Sequence, residues 1–211
     1  MIALPPQSPR AGEHKRWDKL VTLTPSDVCQ RAVVDYYEVK EAYILNSLGR
    51  QYQFTPKDRQ IVPYGAERIE ADLLLSRFGD FFRLSSLWYL TGTKDIPLTQ
   101  RLVPPEDLKE GQMFFKASHA LPLNKLAAKF GADKEGFIQK GTALGGETMT
   151  FGDASIKLFP YPRIPIVLIL WLVDDEFPAR VSLLFDSSCE FHLPLDMNWT
   201  AAMMCVLMML A

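Results

Sequence analysis
The sequence predicts an α+β fold in which a C-terminal antiparallel sheet, arranged as a meander, packs with helices from the N-terminal and middle parts of the chain. Three observations predict it. Apolar residues recur at helical spacing early on, as in Val28, Cys29, Ala32 and Val33. The period then changes, and Glu147–Phe151, Ala154–Phe159, Pro165–Val173 and Arg180–Phe185 read as extended segments. The links between them, Gly152-Asp153, Tyr161-Pro162-Arg163 and Asp174 through Pro178, are too short for a parallel crossover, which needs roughly a dozen residues.

The elements follow in order. Residues 1–20, with prolines and charges where a signal peptide needs an apolar run, read as a flexible leader, and residues 21–211 as one α+β domain. Thr24-Pro25 fits an N-cap and first helical position, opening a helix to about Tyr36. Glu41–Phe54 reads as a hairpin turning at Ser47-Leu48-Gly49. Ile69, Leu73 and Leu74, then Phe78 and Phe82, support helices over 66–77 and 80–90. Pro104-Pro105 opens a short helical turn that closes near Gly111, and Pro122–Phe130 is a helix stopped by Gly131. Asp133 caps a helix to about Leu144, although Gly136 and Gly141 weaken it. The segment Pro165–Val173 is apolar on both faces, as a central strand covered by helices requires.

Composition narrows the function classes. With 48% hydrophobic and 23% charged residues, 211 residues can bury a substantial core. Lysine plus arginine number 23 against 25 acidic residues, so nothing suggests a nucleic-acid partner. The apolar run Ile164–Val173 and the tail Trp199–Ala211 both fall short of the roughly 20 residues that span a membrane, so no membrane is expected. The tail reads as a core helix or as a surface for a partner, including a homo-oligomer built on the C-terminal apolar helix. Cys29, Cys189 and Cys205 are scattered, without a Cys-x-x-Cys pair, which fits a reducing, cytoplasmic setting.

In a meander, alternate turns lie at the same end of the sheet. Asp153 is therefore expected beside Asp174, Asp175 and Glu176, a carboxylate group that could hold a divalent cation or simply form solvated turns. Arg163 is expected beside Asp186, Ser187 and Ser188 at the other end. That group could bind an anion, or Asp186 could cap the following turn with Arg163 holding it. His192 lies close in sequence and could join either a metal or an acid–base group, or be a hydrogen-bonded structural residue. A Cys189–His192 nucleophile lacks both an elbow and an oxyanion hole. Gly145-Gly146 lacks the lysine of a phosphate loop, so no cofactor is named by the residues.

The ordered motifs Phe130-Gly131, Leu144-Gly145-Gly146, Gly152-Asp153, Pro162-Arg163-Ile164-Pro165, Leu170-Trp171, Asp174-Asp175-Glu176-Phe177-Pro178, Leu184-Phe185-Asp186-Ser187-Ser188 and His192-Leu193 resemble the uncharacterised family known as domain of unknown function 3786. The resemblance runs from about Ser26 to the C-terminus. It implies a setting in anaerobic bacteria and archaea, and a link to iron–sulfur or corrinoid proteins through a partner, since this chain lacks a four-cysteine set. It supplies no catalytic residues. The leading expectation is a small-molecule or anion-binding accessory domain centred on Arg163, Asp186, Ser187 and His192. The alternatives are a divalent-metal enzyme using Asp153, Asp174, Asp175 and Glu176, and a protein-interaction domain for an iron–sulfur or corrinoid protein.

Overall fold
The computed structural model describes residues 12–65, 72–116 and 119–211. Its first element corrects the expected leader. Helix α1 (Glu13–Thr22) buries Trp17 and Leu20, and Glu13 makes two hydrogen bonds with Arg83 in the interior. The leader fails as a reading from Glu13 onward because an indole and a leucine three residues apart share one helical face, which the core covers. Residues 1–11 lie outside the described residues.

Helix α2 (Pro25–Ala32) starts with proline at its first position, as expected, but ends early. Val33 turns left-handed at φ 52°, and Asp35–Tyr37 becomes strand β1 instead of continuing the helix. The expected hairpin forms as β2 (Ala42–Ser47) and β3 (Arg50–Thr55), and β4 (Gln60–Pro63) completes a four-stranded antiparallel sheet in the order β1-β2-β3-β4. The first half of the helix expected over 66–77 lies outside the described residues. Its last turn is α3 (Leu73–Ser76), where the buried Asp72 carboxylate accepts from Leu75 N at 2.9 Å. Helix α4 (Gly79–Gly92) follows, with Phe82, Leu87, Tyr89 and Leu90 buried.

The second sheet contains the expected meander. Strands β6 (Glu147–Met149), β7 (Ala154–Tyr161), β8 (Ile164–Trp171) and β9 (Arg180–Asp186) are consecutive antiparallel neighbours. A two-residue strand, β5 (Leu102–Val103), adds to the free edge of β9 by pairing Leu102 with Asp186 and Val103 with Phe185. Strand β8 is buried along its length up to Trp171, as a central strand should be.

Helices α5 (Gly111–Phe114), α6 (Leu123–Phe130) and α7 (Lys134–Ala143) lie between β5 and β6, and α8 (Cys189–His192) and α9 (Leu195–Leu210) follow β9. Gly131 ends α6, but at φ −62° and ψ −15° it is not left-handed. A Cβ there would sit 2.4 Å from the Cβ of Ala179, so glycine serves close approach to the chain before β9. Helix α9 buries Met197, Ala201, Met204, Cys205, Val206 and Met209 within its own chain. At about 1.5–3 kcal/mol for each large apolar side chain removed from water, this burial makes α9 a major part of the core. Among the described residues no helix is long and apolar enough to cross a membrane.

Candidate functional site
The acidic end of the meander is built from turn caps. Asp153 N donates to Leu170 O at 3.0 Å and its Oδ2 accepts from Leu172 N at 2.8 Å, which closes the β6–β7 turn onto β8. Asp174 Oδ1 accepts from Glu176 N at 2.9 Å and Phe177 N at 2.6 Å, an Asx turn that shapes the β8–β9 tip and leaves Asp175 and Glu176 exposed. Among the described residues no group of three or more His, Cys, Asp and Glu side chains is placed to hold a metal ion. The expected convergence of Asp153, Asp174, Asp175 and Glu176 into a cation site therefore does not form, because Asp153 and Asp174 are committed to backbone N–H groups of their turns.

The other end differs from expectation in a more informative way. Arg163 does not pair with Asp186. Its guanidinium donates to Arg31 O at 2.6 Å, Gln30 O at 3.2 Å and Ile96 O at 2.7 Å, and pairs with Asp95. Two of those carbonyls are at the C-terminus of α2, where a cation meets the negative end of the helix dipole. Asp186, 2% exposed, accepts from Thr99 N, Thr99 Oγ1, Gln100 N, Ser188 N and Ser188 Oγ at 2.6–3.1 Å. Burial alone would raise its pKa, but the Ser188 and Thr99 hydrogen bonds outweigh burial and hold the carboxyl below its ordinary range. Ser187 N donates to Arg101 O at 2.9 Å and its Oγ meets Thr99 Oγ1 at 2.8 Å.

His192 completes the pattern. It is 3% exposed, and its Nδ1 accepts a 3.4 Å hydrogen bond from Lys94 N, which places the ring proton on Nε2, an atom without a partner. Burial, reinforced by the nearby Arg163 charge, pushes its pKa down to about 4. Arg163, Asp186, Ser187 and His192 thus do gather, but around the segment 94–101 of their own chain. They form a clamp, and the Arg163 guanidinium donors that an anion would need are already used. The Cys189 thiol is buried and held protonated, as burial, aided by Glu190 and Asp186, raises its pKa, so the Cys189–His192 nucleophile reading has no thiolate.

What the clamp positions is a cleft that the sequence did not disclose. Arg101, fixed by Ser187 and β5, forms one wall; Glu106, Asp107 and Glu110 form the rim; Leu108, Met113, Phe114 and Leu195 supply apolar surface. Its volume is about 900 Å³. Gly111 makes the tight turn beneath it, since a Cβ there would lie 2.0 Å from Pro105 O. Phe114 stacks on His119 with ring centroids 4.1 Å apart, and His119 meets Trp199 of α9 edge-on at 5.4 Å, so aromatic packing supports the apolar wall. A second, smaller pocket of about 220 Å³ shares Glu110 and Leu195 with the cleft and is lined also by Lys109, Glu190, Pro194 and Asn198. Asn198 is 1% exposed, and its Oδ1 has no partner. Leaving such an acceptor buried and unpaired costs about 1–3 kcal/mol, which makes it a marked position. The sequence signal was slight: an acidic pentapeptide after Pro104-Pro105, with Leu195 and Asn198 more than eighty residues away.

The fold and this cleft define a two-sheet α+β protein whose C-terminal meander carries a concave surface at the β5–β9 edge. Residues 24–208 match the family model described as Domain of unknown function (DUF3786), and the chain belongs to that family. No curated protein and no solved structure matches the chain.

Proposed function
We propose that this protein is a small-molecule-binding accessory domain and that the cleft between Arg101, the 106–114 segment and Leu195 is its site. The observation that carries the reading is the cleft itself. At about 900 Å³, with four apolar side chains and polar groups at its rim, it has the size and lining of a ligand pocket. The Arg101 side of it is held by the Asp186 and Ser187 hydrogen bonds, as a preformed site requires. The site is displaced from Arg163, whose guanidinium is occupied by α2 carbonyls and Asp95, so the anion-binding form of the expectation is replaced by one without an arginine at its centre. The family resemblance supports a setting in anaerobic metabolism beside an iron–sulfur or corrinoid protein. The free cysteines Cys29, Cys189 and Cys205 support a reducing cytoplasm.

A fragment library screened by ligand-observed NMR tests the reading. Hits are expected to compete with one another and to be lost in Leu195→Trp, which fills the cleft, while the melting temperature moves by less than about 4 °C because Leu195 is only partly buried. Hits that persist in Leu195→Trp, or a library without hits, would overturn it.

A further inference from the structure
We infer that the junction between the two sheets carries a second binding site, separate from the cleft, which takes a small neutral molecule with an apolar body. A hollow of about 440 Å³ opens there, lined by Val33, Leu48, Gly49, Phe159 and Pro162, with Asn46 as its one exposed polar side chain. The β2–β3 turn meets β7 beside it, where Leu48 N donates to Phe159 O at 2.9 Å. Gly49 and Gly145, left-handed at φ 75° and 72°, touch through bare backbone in its wall. A Cβ on Gly49 would lie 2.9 Å from Gly145 N, and one on Gly145 would lie 2.7 Å from Gly49 Cα.

Val33 is what marks the hollow. It closes α2 at φ 52° and ψ 57°, and Val34 N donates across it to Cys29 O at 3.2 Å. Glycine or asparagine ordinarily takes that left-handed position, and a β-branched residue is strained in it. The core gains little in return, because Val33 is 51% exposed. Arg163 Nε donates to Arg31 O at 2.6 Å and Tyr89 Oη to Ala32 O at 2.7 Å, so the helix end is held and cannot relax. Strain persists where the surrounding structure over-determines it, and it gathers at ligand sites. Its effect here is to place an isopropyl group in the wall of the hollow together with Phe159 and Pro162.

Charge fixes the class of occupant. Among the described residues no charged side chain lines the hollow. The cations within two positions of its walls are each paired, Arg31 with Asp27, Arg50 with Asp72, Lys157 with Glu147 and Arg163 with Asp95. An ion entering would give up hydration without gaining a counter-charge. A neutral apolar body covers Val33, Phe159 and Pro162, and a single hydroxyl suits the Asn46 amide, which both donates and accepts.

The full chain, ¹³C-methyl labelled at valine and leucine, is titrated with benzyl alcohol, benzoate and benzylamine, which share a ring and differ in charge. Benzyl alcohol is expected to shift the Val33 and Leu48 methyls and to bind at least about fivefold tighter than either ion. Val33→Gly is expected to raise the melting temperature by about 2–4 °C, as relief of a strained position does. The same change is expected to weaken benzyl alcohol, read at Leu48, at least about threefold. Leu195→Trp, which fills the cleft, is expected to leave these shifts in place, so the two sites stand or fall separately. An ion that binds as tightly as the alcohol would sink the neutral class. A Val33→Gly chain that melts no higher than the wild type would remove the strain that marks the site. Val33 methyls that move with none of the three probes would dispose of the site itself.

Discussion
Asp186 and His192 grip one segment, yet acid reaches them in separate windows. The folded-state pKa of His192 is lowered to about 4 from an ordinary 6.5, chiefly by burial. As pH falls below 6.5 the unfolded chain therefore takes up this proton first. Stability from the neutral ring is complete above about pH 6.5 and declines until about pH 4, where both states are charged. Asp186 has the opposite charge type and a pKa lowered from 3.8, so its contribution is complete above that value and is lost only as pH falls through the lower, folded one. Urea unfolding midpoints are expected to fall already between pH 6.5 and 4 in the wild type. His192→Gln, which keeps a polar side chain without a titrating ring, is expected to flatten this limb and leave the decline below about pH 4. An unchanged slope between pH 6.5 and 4 in that variant would show that the ring does not titrate in this way.

At the scale of elements, α7 illustrates how packing overrides propensity. Gly136 and Gly141 weaken it as a helix, each costing about 1 kcal/mol relative to alanine. The helix forms because Asp133 caps Gly136 N at 2.9 Å and because Gly141 lies against Ile156 of β7, where a Cβ would come within 2.5 Å of Ile156 Cγ1. Gly141→Ala is expected to destabilise the protein, since overpacking of about 1–3 kcal/mol exceeds the propensity gain. In an Ile156→Ala background, already weakened by its cavity, the same change is expected to be neutral or to stabilise by up to about 1 kcal/mol. Equal effects in the two backgrounds, measured by urea unfolding, would refute the steric account. The same contrast explains what was legible. The segments β7, β8 and β9 carry their own signals, dense β-branched and aromatic residues ending at tight turns, and their short links dictate antiparallel neighbours. By contrast, β1 and β5 have three and two residues, too few for a period, and exist because β2 and β9 offer unpaired edges. The clamp residues were found by type and rim, but the partners they chose were not, because Arg163 answers the carbonyls of α2 and segment 94–101, which no local spacing reveals. The cleft was hidden for the same reason, since its walls come from segments far apart in sequence and meet only after α9 docks.

For the whole molecule, the physical boundary of the folded unit extends beyond the family match, which begins at residue 24. Helix α1 precedes that point, yet Trp17 is fully buried with its ring 6.4 Å from that of Phe54 in β3, and Leu20 is 1% exposed. Arg83 of α4, 3% exposed, depends on Glu13, which accepts from its Nε at 2.9 Å and its Nη2 at 2.8 Å. Removing α1 leaves that guanidinium without its carboxylate, a loss of about 3–5 kcal/mol for a buried pair, and opens the apolar socket of Trp17 to water. Against a total stability of about 5–15 kcal/mol, that is a large fraction. A chain beginning at Thr24 is therefore expected to melt at least about 10 °C below the full chain. Replacing both partners, Glu13→Leu with Arg83→Met, is expected to cost less than Glu13→Leu alone, because the double change leaves no buried charge unpaired. A chain beginning at Thr24 that keeps the full melting temperature would make α1 an appendage and the family match the true extent of the fold.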